Sequence, residues 1–226
     1  MNCFWTFWNR RDEMNPLEQE LHQRNLPELM RQNSKEPVET PAQWERRRQE
    51  IGEILSREFA GFPTRLACRS QKEVVRIDRD SYGGKAETQY CELKIRSDFS
   101  SASVPFTLTV PKGSSPAPIF FYLAFTPEIA DGIGEEVIDH GYAIANVCYQ
   151  DIAADYFDGH MTGLGRFCTR NPYDSWGKLR IWAWCMSRIA DVLLDDPGID
   201  QKKTAVMGHS RLGKAALLAG AFDTRR

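Results

Sequence analysis

The stretch of this sequence best equipped for chemistry is Gly208-His209-Ser210-Arg211-Leu212-Gly213. A short apolar run, Thr204 to Met207, leads into it, and Leu212 to Phe222 continues with a helical pattern. A serine on a sharp strand-to-helix turn has a strained backbone and an exposed hydroxyl, the arrangement of a nucleophile elbow in acyl transfer. Such a turn needs small neighbours. Gly208 lets the strand approach the helix, and Gly213 gives a second point of relief, one residue later than in the usual G-x-S-x-G. The same string also fits a glycine-rich connection that binds nothing, or a phosphate seat at a helix N-terminus.

Acyl transfer develops an oxyanion, usually held by two donors. Many hydrolases take one of them from a glycine-rich loop after an earlier strand. The corresponding loop here, Ala124-Phe125-Thr126-Pro127-Glu128, has no glycine pair, and Pro127 has no N–H to give. The backbone N–H of Arg211 would be one donor, and its guanidinium can add the missing one. The plain alternative is a surface arginine at a helix N-terminus, which the helix dipole slightly disfavours. Lys214 lies one turn after Ser210 on nearly the same face. It can bind a sugar hydroxyl or a carboxylate, or simply be solvated. His209 precedes the nucleophile, so its side chain projects away from it and it is not the general base.

The flanking sequence divides into three textures. Residues 1–40 are polar, broken by Pro16, Pro27 and Pro37, and read as an arm with at most one short helix. Residues 41–226 read as part of a single enzyme domain. Within 42–60, Trp44, Ile51, Leu55 and Phe59 recur at helical spacing until Gly61 and Pro63 stop the run. Arg46, Arg47 and Arg48 there read as a solvated face with local ion pairs. From 70 to 111, short alternating runs around a Tyr82-Gly83-Gly84 turn predict antiparallel strands at 73–77, 89–96 and 104–110. Beyond 116, apolar strands at 119–125, 141–148 and 204–207 alternate with helices, the longest over 173–194. That alternation predicts a parallel sheet covered on both faces, an α/β fold.

Composition narrows the function. There are 29 Lys and Arg against 31 Asp and Glu, a net charge of −2, which argues against nucleic acid or an anionic membrane as partner. The longest apolar candidate, Ile181 to Leu194, is interrupted by Arg188 and Asp191 and is too short to span a bilayer. The opening MNCFWTFWNRRDEM does not read as a secretory signal. The six cysteines form no CxxC pair and no cluster with histidine, so free thiols are expected, with no metal site and no cofactor.

The run from Gly208 to Asp223 resembles the nucleophile motif of the glucuronoyl esterases, carbohydrate esterase family 15, whose pattern is G-[CH]-S-R-x-G-K. The Trp176-Gly-Lys-Leu-Arg-Ile-Trp-Ala-Trp-Cys-Met-Ser-Arg segment, the turn at Asp200 and the Pro41-Ala-Gln-Trp-Glu-Arg-Arg entry helix are also similar to that family. His209, where fungal members have a disulfide-bonded cysteine, agrees with the bacterial branch often labelled acetylxylan esterase. The resemblance implies an α/β-hydrolase three-layer sandwich. It implies hydrolysis of esters of the 4-O-methyl-glucuronic acid on glucuronoxylan, with acetylxylan as the alternative ester. The partner is then glucuronoxylan or another uronate-ester carbohydrate. By position Ser210 matches the nucleophile, Arg211 the oxyanion arginine and Lys214 the sugar-contacting lysine. A non-catalytic carbohydrate-binding or scaffold role on the same fold is the rival of another class. The resemblance does not give the oligomeric state. Family members are mostly exported.

In α/β-hydrolases the catalytic acid and histidine follow the nucleophile in the chain. No histidine follows Ser210 here, and Asp223 is the one acid that does. His22 lies in the arm, His140 reads as a helix C-terminal residue, and His160 is left open. The expectation is a chain truncated after the nucleophile-bearing helix and lacking serious esterase activity by itself. Such a chain should leave the 204–207 strand with an unpaired edge and expose Leu217, Leu218 and Phe222.

Overall fold

Thr40 and Gln43 start the long entry helix by exchanging hydrogen bonds. The Gln43 N–H donates to Thr40 Oγ1 at 3.2 Å, and Gln43 Oε1 accepts from the Thr40 N–H at 2.9 Å. Pro41, which has no N–H to satisfy, takes the first helical position. The computed structural model describes residues 16–24, 26–64, 66–129, 132–157, 159–167 and 175–225, with His22 and His160 by their backbone alone. Two compact units are present, Met1–Ile51 and Gly52–Arg226.

The first unit contains helix α1 (Pro16–Gln23), an Arg31–Pro37 bridge and most of α2 (Pro41–Leu55). Here the reading of the three arginines needs correction. Arg48 and Arg47 do make local ion pairs, with Glu45 at 2.6 Å and Glu50 at 3.0 Å. Arg47, however, is buried, at 6% exposure. Its guanidinium ties the irregular segment before α2 by donating to the Leu29 carbonyl at 3.1 Å and to Asn33 Oδ1 at 3.0 Å. A guanidinium with that many acceptors can be buried as a structural tie.

The expected apolar stripe of the entry helix does not stay in phase either. After Leu55 the chain makes one π-helical turn, Ser56–Ala60. The wider turn puts Ser56 and Ala60 inside and leaves Phe59 half exposed. Gly61, at φ 76°, then stops it. A Cβ there would sit 2.2 Å from the Ser175 carbonyl oxygen.

In the second unit, three antiparallel strands come first: β1 (Arg69–Ser81), β2 (Ala86–Arg96) and β3 (Ser101–Pro111). Tyr82, Gly83 and Gly84 turn the first hairpin at φ 53°, 66° and 87°. In β2 the predicted alternation holds, with Cys91, Leu93 and Ile95 buried and Tyr90 exposed. Then come β4 (Ala117–Ala124), α3 (Ile133–Asp139), β5 (Ala143–Cys148), α4 (Tyr149–Ile152), two 3₁₀ turns, α5 (Lys178–Leu193), β6 (Ile199–Gly208) and α6 (Arg211–Phe222). The six strands form one sheet in the order β1-β2-β3-β5-β4-β6. β4 pairs in parallel with both β5 and β6, and β3 joins β5 antiparallel. The sheet is mixed, not parallel throughout. Every residue of β5 is buried.

Three expectations change in the parallel half. Helix α5 begins at Lys178, five residues later than predicted from 173; Gly177 is its extended N-cap, and Ser175 bridges to Phe62. Residues 168–174 lie outside the described part. Among the described residues β6 is an edge strand, as expected, and Gln201 to Val206 are exposed, so the sheet is not covered on both faces there. Leu217 is 75% exposed, but Leu218 is buried. Leu212, Ala215, Leu218 and Ala219 share the inward stripe of α6, whereas Leu217 lies outside it. Phe222 is half-buried, with the Arg180 guanidinium 3.5 Å over its ring.

Cys91, Cys148 and Cys185 are buried free thiols and Cys68 is a half-buried one; Cys3 and Cys168 lie outside the described residues. Burial pushes the Cys91 thiol up to about 11, so it stays protonated and inert at neutral pH.

One charge pair carries a pH prediction. Burial works to raise the Asp223 pKa, but hydrogen bonds from the Arg225 guanidinium and the Ser187 hydroxyl prevail and bring it down to about 2. The folded pKa is thus below the unfolded value of about 3.9. The pair's stabilisation is present above about pH 4 and is lost as pH falls towards 2. Urea midpoints at pH 5 and pH 2.5 check it: Asp223→Asn should narrow the gap between them, and an unchanged gap would contradict the assignment.

Candidate active site at the end of β6

Ser210 adopts φ 56°, ψ −122°, one of three non-glycine residues at positive φ among those described. The cause is the crossing beneath it. A Cβ on Gly208 would lie 2.5 Å from the Leu212 carbonyl oxygen and 3.1 Å from the Gly213 nitrogen. The incoming strand and the first turn of α6 therefore touch backbone to backbone. Gly213 faces the same crossing, its virtual Cβ 3.1 Å from the Gly208 oxygen. That contact accounts for a second glycine one residue late: position 213, not 212, meets the strand, while Leu212 points into the core at 0% exposure. The Leu212 N–H donates to the His209 carbonyl at 3.0 Å, and the Lys214 N–H to the Ser210 carbonyl at 3.2 Å, closing the bend.

His209, Ser210, Arg211 and Lys214 are all exposed. The bend stands at the carboxyl ends of the parallel strands, where ligands bind in open α/β sheets. Lys214 has no ion pair among the described residues. Arg211 is differently placed. Its Nη1 pairs with Asp155 Oδ2, and its guanidinium carbon lies 5.6 Å from the centre of the Phe125 ring and 5.9 Å from that of Tyr149.

Those rings come from the ends of β4 and β5. Phe125 meets Tyr149 edge-on at 5.5 Å, and Tyr149 meets Trp182 of α5 at 5.1 Å. His209 lies edge-on to Phe125 at 6.4 Å. The loop after β4 is pinned where the sequence lacks glycines: Asn146 Nδ2 donates to the Pro127 carbonyl at 2.6 Å, and Thr126 Oγ1 to the Glu128 carbonyl at 2.7 Å.

His140 is the C-cap of α3, its Nδ1 2.8 Å from the Glu136 carbonyl, as its sequence position predicts. It precedes β5, so it lies at the amino end of the parallel strands, roughly 20 Å from the elbow at ~3.3 Å per residue. The side chains of His22 and His160 lie outside the described residues.

Sequence reasoning missed Tyr149, Gln150 and Asp155, and assigned Phe125 no role. For Phe125, Tyr149 and Gln150 a signal was present: they follow directly on apolar strands of the parallel half, at the end where sites form, whereas Asp155 lies beyond α4 and carries no such signal.

A family model described as glucuronyl esterase, fungi, matches residues 93–226. The chain is 34% identical over 144 residues to a 4-O-methyl-glucuronoyl methylesterase of Hypocrea jecorina, an alignment covering 59% of this chain and 28% of the relative. It is 30% identical over 200 residues to 4-O-methyl-glucuronoyl methylesterase 1 of Wolfiporia cocos, covering 83% and 44%. The chain thus matches less than half the length of either relative. A solved glucuronoyl esterase from Solibacter usitatus superimposes with a TM-score of 0.76 at 27% identity, over 88% of this chain and 60% of that one. The mixed six-stranded sheet with its helices is therefore that of an α/β-hydrolase, and this chain belongs to the glucuronyl esterase family.

Proposed function

We propose that this chain supplies the nucleophile-bearing half of a serine esterase that cleaves 4-O-methyl-glucuronoyl esters of glucuronoxylan. The observation that supports it best is the left-handed backbone of Ser210, exposed at the carboxyl end of the sheet. In this reading Ser210 Oγ attacks the ester carbonyl carbon and its proton passes to a general base. The carbonyl oxygen takes up the negative charge, and Arg211 holds it through its N–H and guanidinium. Collapse expels the alcohol, which takes a proton from the same base, and leaves a glucuronoyl-serine ester. Water then hydrolyses that ester, returning Ser210 and the uronic acid. Lys214, exposed on the next turn, binds the sugar. The base is neither His140, at the far end of the strands, nor His209, turned to Phe125. It comes from outside the described part of this chain.

The test compares methyl glucuronate with acetylated xylan, using an esterase that contains this chain. Turnover of the uronate ester that depends on Ser210 supports the reading. Release of acetate alone would replace it with the acetylxylan reading. Polysaccharide binding that survives Ser210→Ala, with no turnover of either ester, would leave a binding protein.

A further inference from the structure

The Arg211 side chain is 52% exposed, and a long side chain at the surface has no fixed position of its own. An oxyanion donor must be placed before the charge develops. The surroundings of Arg211 meet that need in a closed ring of contacts. Asp155 Oδ2 takes Nη1, and the other carboxylate oxygen, Oδ1, lies 3.4 Å from Lys178 Nζ. The Asp155 carboxylate is itself only 19% exposed. Its backbone is pinned at Asp155 itself and at the residue before it. The Asp155 N–H donates to Gln150 Oε1 at 3.0 Å, and the Ala154 N–H to Thr162 Oγ1 at 3.1 Å. Gln150 Nε2 in turn donates to the Tyr149 hydroxyl at 2.8 Å, and Tyr149 is one of the two rings beneath Arg211. Trp182 Nε1 fastens the preceding Ala153 carbonyl at 3.0 Å.

We infer that Asp155 is the positioning residue for Arg211: it holds one edge of the guanidinium over Phe125 and Tyr149 and leaves the other donors for the oxyanion. The inference rests on the esterase reading given above. A carboxylate beside an oxyanion donor ordinarily cancels the charge it is meant to offer. Lys178 answers that cost. Two cations share one anion, so the cluster keeps a net positive charge facing the site. Lys178 also donates to the Tyr156 carbonyl, which fixes its own position. Asp155 touches no reacting atom; its effect reaches the reaction through Arg211.

Steady-state kinetics on methyl glucuronate, in an esterase containing this chain, test it. Asp155→Asn should lower kcat by about 10- to 50-fold while KM stays within about twofold, because the interaction lost matters only once charge develops. Asp155→Glu, which keeps the carboxylate, should recover most of kcat. Lys178→Met leaves Arg211 and Asp155 paired but neutral, and should lower kcat by about 3- to 10-fold with KM unchanged; it serves if Asp155→Asn does not fold. Two results would overturn the inference while Ser210→Ala still abolishes turnover: Asp155→Asn and Lys178→Met both within twofold of wild type, or losses in which KM rises as much as kcat falls and Asp155→Glu restores nothing. Turnover that survives Ser210→Ala would overturn the esterase reading first, and this inference with it.

Discussion

In an esterase that contains this chain, Ser210→Ala should lower kcat/KM on a methyl glucuronate ester by about 10 000-fold or more, and Ser210→Gly should lower it equally while making the protein more stable. The first half follows from chemistry: without the hydroxyl no acyl-enzyme forms, and only binding and oxyanion contacts remain. The second half follows from the backbone. A side chain at φ 56°, ψ −122° costs on the order of 1–3 kcal/mol. Alanine keeps that cost because it keeps the Cβ. Glycine removes it, less the roughly 0.5–1 kcal/mol that extra freedom in the unfolded chain takes back. The expected order of urea midpoints is Gly above Ala, with Ala close to Ser and the Gly–Ala gap about 1 kcal/mol. An alanine variant that still turns over ester would remove Ser210 from the mechanism. A glycine variant no more stable than alanine would show a relaxed bend.

The second large effect is structural. Gly208→Val should destabilise the fold by about 4 kcal/mol or more, and Gly208→Ala by somewhat less. The new Cβ meets the Leu212 carbonyl group and the Gly213 nitrogen, which are backbone atoms with no rotamer to escape into. Relief requires α6 to move away from β6, which uncovers Leu212 and Ala215. Gly213→Ala is the control. Its nearest contact is the Gly208 oxygen at 3.1 Å, so a shift of a few tenths of an ångström suffices and a loss near 1 kcal/mol is expected. Denaturant unfolding of the three variants measures the order. Equal losses at 208 and 213 would mean the crossing is not the tight point.

The elbow was legible in the sequence because its causes are local. Two glycines, a serine and the switch from an apolar run to a helical one all lie within a few residues of each other. The alternation of Cys91, Leu93 and Ile95 was legible for the same reason. Arg47 was not. Its burial depends on carbonyls at 28 and 29 and on Asn33, which no periodicity within α2 reports. Phe59 was misread because a single π turn shifts the helical phase without altering the pattern of residue types. Leu218 was placed at the surface together with Leu217, although helical geometry puts successive residues about 100° apart and only one of the two can face outward. Asp155 went unseen because its partner is fifty-six residues away along the chain. Nothing but the sheet order brings the end of β5 near the start of α6.

That sheet order also sets when the site can exist. β4 has β5 as its neighbour on one side, contributed soon after it, and β6 on the other, where Ile119 waits for Thr204. Pairings so distant along the chain form late and slowly, since a long loop must close before any contact rewards it. During synthesis, the antiparallel hairpins and the β4–β5 pair can assemble while α6 is still within the ribosome. The bend at Ser210 is imposed only when β6 docks, so in an emerging chain the pairing of β4 with β5 can precede the turn that presents Ser210.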